Sequence, residues 1–205
     1  MKLHNSIGPN PHLVRIFAHE KNIPLDLVTV DLMSGENRQQ AYREKNPAGQ
    51  LPCLELDDGT FIAETLVICE YLEDLHPQPA LIGTTPVEKA NTRMWTRRTE
   101  LAITGPLADG FRFSEGLALF KDRMRVIPEA ADGLKAKARD GLAWLDEQIE
   151  GRAFIAGDDF GLADILLISF LLFGGGVGQP LDPSLKNMAA WSERVSGRPS
   201  VEQTA

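Results

Sequence analysis

The sequence predicts an α/β domain followed by an all-α, helical-bundle domain. Alternation of apolar and polar residues is confined to the first 63 positions, whereas helical spacing of apolar residues dominates the rest. A segment rich in proline and glycine, at residues 77–86, separates the two patterns. We therefore expect an α/β domain over residues 1–78 and a helical domain over residues 86–205.

The first domain opens with a predicted strand, helix and strand. Residues 2–5 form a short run before a turn-rich loop, and apolar residues then recur at helical spacing from position 13 to 18. Asn22 and Pro24 end this helix, and residues 25–32 alternate as a half-buried strand does. These patterns predict a βαβ unit.

The rest of this domain is predicted as a loop, a hairpin and a helix. The polar residues 34–46 favour a loop with a short exposed helix. Residues 51–56 and 60–63 read as two strands, because Asp57-Asp58-Gly59 between them is a strong hairpin signal. Residues 64–76 have helical periodicity.

Strand signals are absent from the second half of the sequence. Helical spacing covers residues 87–113, 117–149, 162–173 and 183–195. Gly105-Pro106 and Pro128 are expected to bend or break the first two of these helices.

Composition narrows the function classes. The formal net charge of −8 on 205 residues disfavours nucleic acid and anionic membrane as partners, because both bind clusters of Lys and Arg. The longest apolar stretch, residues 165–173, is far shorter than the ~20 residues that span a bilayer. No signal-peptide pattern begins the sequence, so we expect a cytoplasmic location. The histidines lack ligand spacing, and we expect no metal.

A motif in the first domain points to a family. Residues 46–54 read Asn-Pro-Ala-Gly-Gln-Leu-Pro-Cys-Leu, and they are followed by Asp58-Gly59 and by Ala63-Glu64-Thr65-Leu66. This segment resembles the glutathione-binding signature of the glutathione transferase superfamily. Three further pieces fit the family pattern: Val14-Arg15-Ile16, Ala163-Asp164-Ile165, and Trp191 with Arg198-Pro199-Ser200. The resemblance implies a thioredoxin-like first domain, glutathione as co-substrate, a hydrophobic electrophile and a homodimer.

The motif also suggests how glutathione is held. An X-Pro bond is the one peptide bond where the cis form is cheap, so Leu51-Pro52 is a candidate cis turn at a sheet edge. The resemblance implies that the Leu51 backbone pairs with the cysteinyl part of glutathione, as in strand addition.

The remaining predicted contacts are polar. Glu64 and Thr65 stand where a helix begins, and its free N–H groups favour an anion such as the γ-glutamyl carboxylate. Glu64 is placed to meet the ligand's ammonium group. Gln50 and Arg38 are candidate contacts to the γ-glutamyl part and to the glycyl carboxylate respectively.

The residue that activates the thiol is an open choice. Relatives carry Tyr, Ser or Cys near the first helix, but the position that matches the Ser or Cys is Gly8, which has no side chain. Ser6 is our first candidate donor and Asn10 the second. The alternative for Ser6 is a turn hydroxyl that bonds to nearby backbone.

The resemblance implies that the electrophile binds between the domains, against the first helix of the bundle. Trp95, Arg98 and Phe111 are candidates for that pocket, although aromatic residues at helical spacing often belong to a core. Two other functions compete with the transferase. A non-catalytic binding module would explain Gly8, and a disulfide reductase would need a nucleophilic cysteine near the first helix, where none stands.

Overall fold

The structure, a computed structural model, describes residues 1–204. Its first half contains a four-stranded sheet with strand order β2-β1-β3-β4, in which β1 and β2 are parallel and the other neighbours antiparallel. The elements are β1 (Lys2–Asn5), α1 (Pro9–Glu20), β2 (Asp26–Thr29), α2 (Gln40–Arg43), β3 (Cys53–Glu55), β4 (Phe61–Ala63) and α3 (Thr65–Leu75). A 3₁₀ turn at Glu36–Arg38 precedes α2.

The regular elements of the second half are all helices within the described residues. Its elements are α4 (Pro86–Thr99), α5 (Gly105–Arg112), α6 (Leu117–Phe120), α7 (Ala131–Gln148), α8 (Leu162–Gly176), α9 (Lys186–Ser196) and α10 (Pro199–Glu202). A π-helical segment, Glu100–Thr104, joins α4 to α5 just before Pro106. The predicted fold class is therefore confirmed, with an α/β first half and an all-α second half.

The predicted strand at residues 25–32 differs from the structure, whereas the predicted helical segment 117–149 breaks as expected. Strand β2 is shorter than residues 25–32, because the Asp31 carboxylate accepts hydrogen bonds from the N–H groups of Met33 and Ser34 and starts a turn. The segment 117–149 is two helices, α6 and α7, and the expected break at Pro128 is present as a 3₁₀ turn that precedes α7.

One hydrophobic core runs through both halves. Leu3 and Leu54 face each other across β1 and β3 and are fully buried, together with Phe17 of α1 and Leu72 of α3. Helix α1 also packs against α8, whose residues 162–171 are all buried. The apolar stretch noted in the sequence is thus a core helix, and no helix among the described residues is long and apolar enough to cross a membrane.

Two buried acids secure the junctions between elements. Glu73 of α3 pairs with Lys21 at 2.6 Å and accepts hydrogen bonds from the N–H groups of Leu81 and Ile82 in the connecting segment. Asp164 of α8 accepts hydrogen bonds from the N–H of Ile155 at 3.0 Å and from the Trp191 indole at 2.7 Å. Asp164 therefore serves packing, as a residue in the helix start motif of α8.

Candidate active site

A cleft of about 360 Å³ lies between the two halves of the molecule. Its α/β wall comes from the start of α1, the loop before β3 and the start of α3, and its helical wall comes from the α4–α5 junction and α8. Six of the predicted site residues line it: Asn10, Gln50, Leu51, Pro52, Glu64 and Thr65. Residues far apart in the sequence thus meet in one concave site, which is where small-molecule ligands usually bind.

The loop before β3 presents free backbone groups to the cleft. The Leu51-Pro52 peptide bond is cis, as the sequence predicted. The Gln50 carbonyl accepts hydrogen bonds from the Tyr42 hydroxyl at 2.7 Å and the Asn46 amide at 2.9 Å. Within residues 1–204, neither the N–H nor the C=O of Leu51 makes a hydrogen bond, so both are available to a ligand.

The start of α3 offers an anion site to the same cleft. The N–H groups of Thr65, Leu66 and Val67 belong to the first helical turn, and no side chain caps them in the described structure. All three residues line the cleft. Glu64, which precedes them, is exposed and has φ 68°, an uncommon conformation for a residue other than glycine. Free N–H groups and the helix dipole together favour a carboxylate here.

The start of α1 also lines the cleft, through Asn10. Pro9 and Pro11 have no N–H, so Asn10 supplies the backbone donor of the first turn, and its side chain makes no hydrogen bond within the described residues. Ser6 does not line the cleft. Its buried hydroxyl donates a 2.7 Å hydrogen bond to the carbonyl oxygen of Val30, 24 positions away, rather than to nearby backbone as in the turn-type alternative.

Arg38 lies behind the loop that forms the cleft. Its Nη1 donates to the Ala48 carbonyl at 3.3 Å, and its buried Nε has no hydrogen-bond partner in residues 1–204. Burial lowers the pKa of this guanidinium, with a further contribution from the charges of Arg123 and Arg43. Arg38 does not line the cleft itself.

The three predicted contacts to the electrophile also lie outside the cleft. Trp95 is buried and stacks on Trp144, with a ring separation of 5.9 Å, and the exposed Arg98 lies over the Trp95 ring. Phe111 packs edge-on against Phe173 at 4.9 Å.

Sequence reasoning missed the residues that form the helical wall of the cleft. They are Glu100, Thr104, Gly105, Ala108 and Arg112, with Leu166 and Phe170 of α8. A weak signal existed, because Thr104, Ala108 and Arg112 follow one another at four-residue spacing and share a helix face. Arg112 is partly buried and pairs with Asp109 at 2.9 Å.

A second, larger hollow borders the start of α1. This groove, of about 990 Å³, is lined by the loop before α1, the loop after β2, the outer face of α1 and the C-terminal part of α8. Most of the surface is apolar, and two of its side chains, Ile7 and Met33, are 64% and 60% exposed. Phe173 also lines it, so Phe111 supports the wall of the groove from behind.

Neither cysteine has the surroundings of a nucleophile. Cys53 and Cys69 are both free and buried, and burial raises the pKa of Cys53 to about 11. Among residues 1–204, no group of three or more His, Cys, Asp or Glu side chains is arranged to hold a metal ion.

Comparison with known proteins adds independent information. Residues 7–75 match the family model "Glutathione S-transferase, N-terminal domain" and residues 117–199 match "Glutathione S-transferase, C-terminal domain". Glutathione S-transferase 2 of Saccharomyces cerevisiae is 35% identical over 96% of this chain and 85% of its own length. Glutathione S-transferase GstA of Escherichia coli is 30% identical over 98% of this chain and 96% of its own length. The crystal structure of Gtt2 from Saccharomyces cerevisiae superposes with a TM-score of 0.94 at 34% identity, covering 100% of both chains.

Proposed function

Because this chain belongs to the glutathione S-transferase family, we propose that it binds glutathione in the cleft and transfers its thiolate to a hydrophobic electrophile. The observation that carries this proposal is the convergence of two helix starts and the Leu51-Pro52 loop on one cleft. The relatives are named as transferases, so a purely non-catalytic binding role is not favoured.

Each part of glutathione has a matching group in the cleft or, for the glycyl carboxylate, behind the loop that forms it. The unpaired N–H and C=O of Leu51 suit the cysteinyl backbone, and the free N–H groups at the start of α3 suit the γ-glutamyl carboxylate. The exposed Glu64 carboxylate suits the ammonium group, and Gln50 adds a polar contact. We propose Arg38 for the glycyl carboxylate, because its buried Nε lacks a hydrogen-bond partner within residues 1–204, and burial together with the charges of Arg123 and Arg43 lowers its pKa.

Asn10 is our proposed activating donor. A thiol with a pKa near ~8.5 is mostly protonated at neutral pH, so the site must favour the thiolate. The Asn10 amide and backbone N–H are both free at the start of α1, where the helix dipole adds to their effect. Ser6 is the second candidate, because its single proton is already donated to the Val30 carbonyl.

The apolar groove is the proposed place for the electrophile. It adjoins Gly8 at the start of α1, so a ligand there would lie beside a thiolate held at Asn10. Holding both reactants next to each other supplies much of the rate enhancement in such a transfer. Phe111 supports the wall of the groove by packing against Phe173. Trp95 and Arg98 line neither the groove nor the cleft.

The test combines glutathione titration with conjugation to an aryl halide. The ultraviolet absorbance of the bound thiolate, followed against pH, gives the pKa of the thiol in wild type, Asn10→Ala and Ser6→Ala. We expect Asn10→Ala to raise this pKa by about one unit, which corresponds to a loss of about 1.4 kcal/mol of thiolate stabilisation. Ser6→Ala should leave the pKa of the thiol unchanged. The opposite ranking would make Ser6 the donor, and a wild type that does not bind glutathione would refute the proposed function.

We further propose a homodimer in the cytoplasm. Exposed apolar side chains on adjacent elements support self-association: Val67 of α3, Met94 of α4 and Leu101 of the π-helical segment. Two buried, unpaired cysteines suit a reducing compartment. Light scattering should give twice the monomer mass, and Leu101→Glu should reduce it; a monomeric wild type would contradict the dimer.

A further inference from the structure

The loop after β2, residues 31–35, forms one wall of the apolar groove through Leu32 and Met33. Its shape is fixed by local bonds. The N–H groups of Met33 and Ser34 donate to Asp31 Oδ1 at 2.9 and 3.1 Å, and the Asp31 N–H donates to Glu36 Oε2 at 2.7 Å. These contacts set the form of the loop but not its position relative to the helical half.

Arg123, which follows α6 in the helical half, reaches this loop. Its Nη1 donates to the Leu32 carbonyl at 2.7 Å, and its Nη2 donates to the Met33 carbonyl at 3.1 Å. Over residues 1–204, these are the only hydrogen bonds to residues 31–35 from a side chain distant in sequence. The planar guanidinium fixes two neighbouring carbonyls at once, which gives direction as well as attraction.

We propose that Arg123 is a positioning residue for the transfer reaction. It anchors residues 31–35 to the helical half, so that Leu32 and Met33 form a fixed wall for the electrophile. A wall that is already ordered spares the ligand the entropy cost of ordering it. The proposal rests on the groove being the electrophile site, and it separates the two substrates, because Arg123 does not line the glutathione cleft.

Steady-state kinetics with glutathione and an aryl halide test this role. In Arg123→Ala we expect the KM for the electrophile to rise about tenfold, because two charge-assisted hydrogen bonds are lost. The kcat should stay within about twofold of wild type, and the KM for glutathione should change less than that for the electrophile, because Arg123 reaches the glutathione contacts only through its charge near Arg38. Arg123→Lys keeps the positive charge but not the planar guanidinium that reaches two carbonyls at once. It should therefore raise the KM for the electrophile less than Arg123→Ala does. Arg125→Ala is the matched control, since Arg125 is exposed and makes no ion pair within residues 1–204.

Amide hydrogen exchange tests the anchoring without relying on catalysis. Arg123→Ala should speed exchange in residues 31–35 and leave β3 and β4 protected, because only the loop loses an anchor. An unchanged electrophile KM, an equal rise in both KM values, or unchanged loop exchange would each overturn the proposal. A wild type without turnover would instead refute the proposed function, and loop exchange would then decide the anchoring alone.

Discussion

Replacing Lys21 by methionine should strongly destabilise the protein. The ammonium of Lys21 uses all three of its donors, to Glu73 Oε2 at 2.6 Å and to the carbonyl oxygens of His76 at 2.6 Å and Pro79 at 2.7 Å. The Lys21 side chain is 0% exposed, so no water replaces a lost partner. Methionine has a similar length but leaves a buried carboxylate and two carbonyls without their donor.

The size of the effect follows from the cost of an uncompensated buried charge. Removing one partner of a buried ion pair typically costs about 3 to 5 kcal/mol. In a chain of this length each kcal/mol lowers the Tm by about 2 to 4 °C, so Lys21→Met should lower it by about 6 to 20 °C. The double variant Lys21→Met with Glu73→Gln no longer has the unpaired buried carboxylate and should recover part of this loss of stability.

Calorimetry and urea unfolding measure this prediction directly. Lys137→Met is the matched control, because Lys137 is an exposed lysine on α7, and its Tm should equal that of wild type. If Lys21→Met lost less than about 1 kcal/mol, or if Glu73→Gln gave no recovery, the ion pair would not hold the connecting segment in place.

Three further predictions concern single side chains. Burial raises the pKa of Asp164 from 3.8 to about 6, so its stabilising contribution is complete below about pH 3.8 and is lost as the pH rises through 6. Urea unfolding should show wild type losing about 3 kcal/mol relative to Asp164→Asn between about pH 4 and 7, and a constant difference would contradict this. Thr65→Val, which keeps the side-chain shape, should weaken glutathione binding about tenfold by titration calorimetry, and unchanged affinity would exclude the hydroxyl as a contact. Hydrogen bonds from Thr84 and Thr85 lower the pKa of Glu88 from 4.5 to about 2, so its contribution is present above 4.5 and lost as the pH falls through 2. The Tm of Glu88→Gln should therefore approach that of wild type only at acid pH. Equal Tm values at pH 7 would refute a stabilising role for the Glu88 carboxylate.

Local patterns predicted most of the fold because most elements are specified by neighbouring residues. The hairpin signal at residues 57–59 lies between β3 and β4, and Pro52 gives the cis bond. The error arose where a short polar motif ended an apolar pattern. The Asp31 turn shortened β2, whereas the break near Pro128 was expected from the proline itself.

The site was predictable where it is built from local backbone features. A helix start and an X-Pro turn can be recognised from adjacent residues, so Leu51 and Thr65 were predicted for one site, and both line the cleft. Residues of the helical wall, such as Thr104, join the cleft through packing between the halves, which no local pattern encodes. The same holds for Ser6, whose partner Val30 is 24 positions away.

The backbone at Gly8 bears on our proposal that the activating donor is Asn10 and not a side chain at position 8. Gly8 has φ 107° and ψ 171°, a region that only glycine occupies readily, and this conformation sets the entry into α1. A side chain at position 8 would not clash with its neighbours, because an added Cβ has nothing within 4 Å. It would still strain the backbone, because φ is 107°. The thiolate requires about 1.4 to 2.7 kcal/mol for one to two units of pKa lowering. A helix start contributes about 0.3 to 1 kcal/mol and a hydrogen bond to a charged atom about 1.5 to 3 kcal/mol. On these magnitudes the start of α1 and the Asn10 amide, which we propose as the donor, would together meet this requirement without a hydroxyl at position 8.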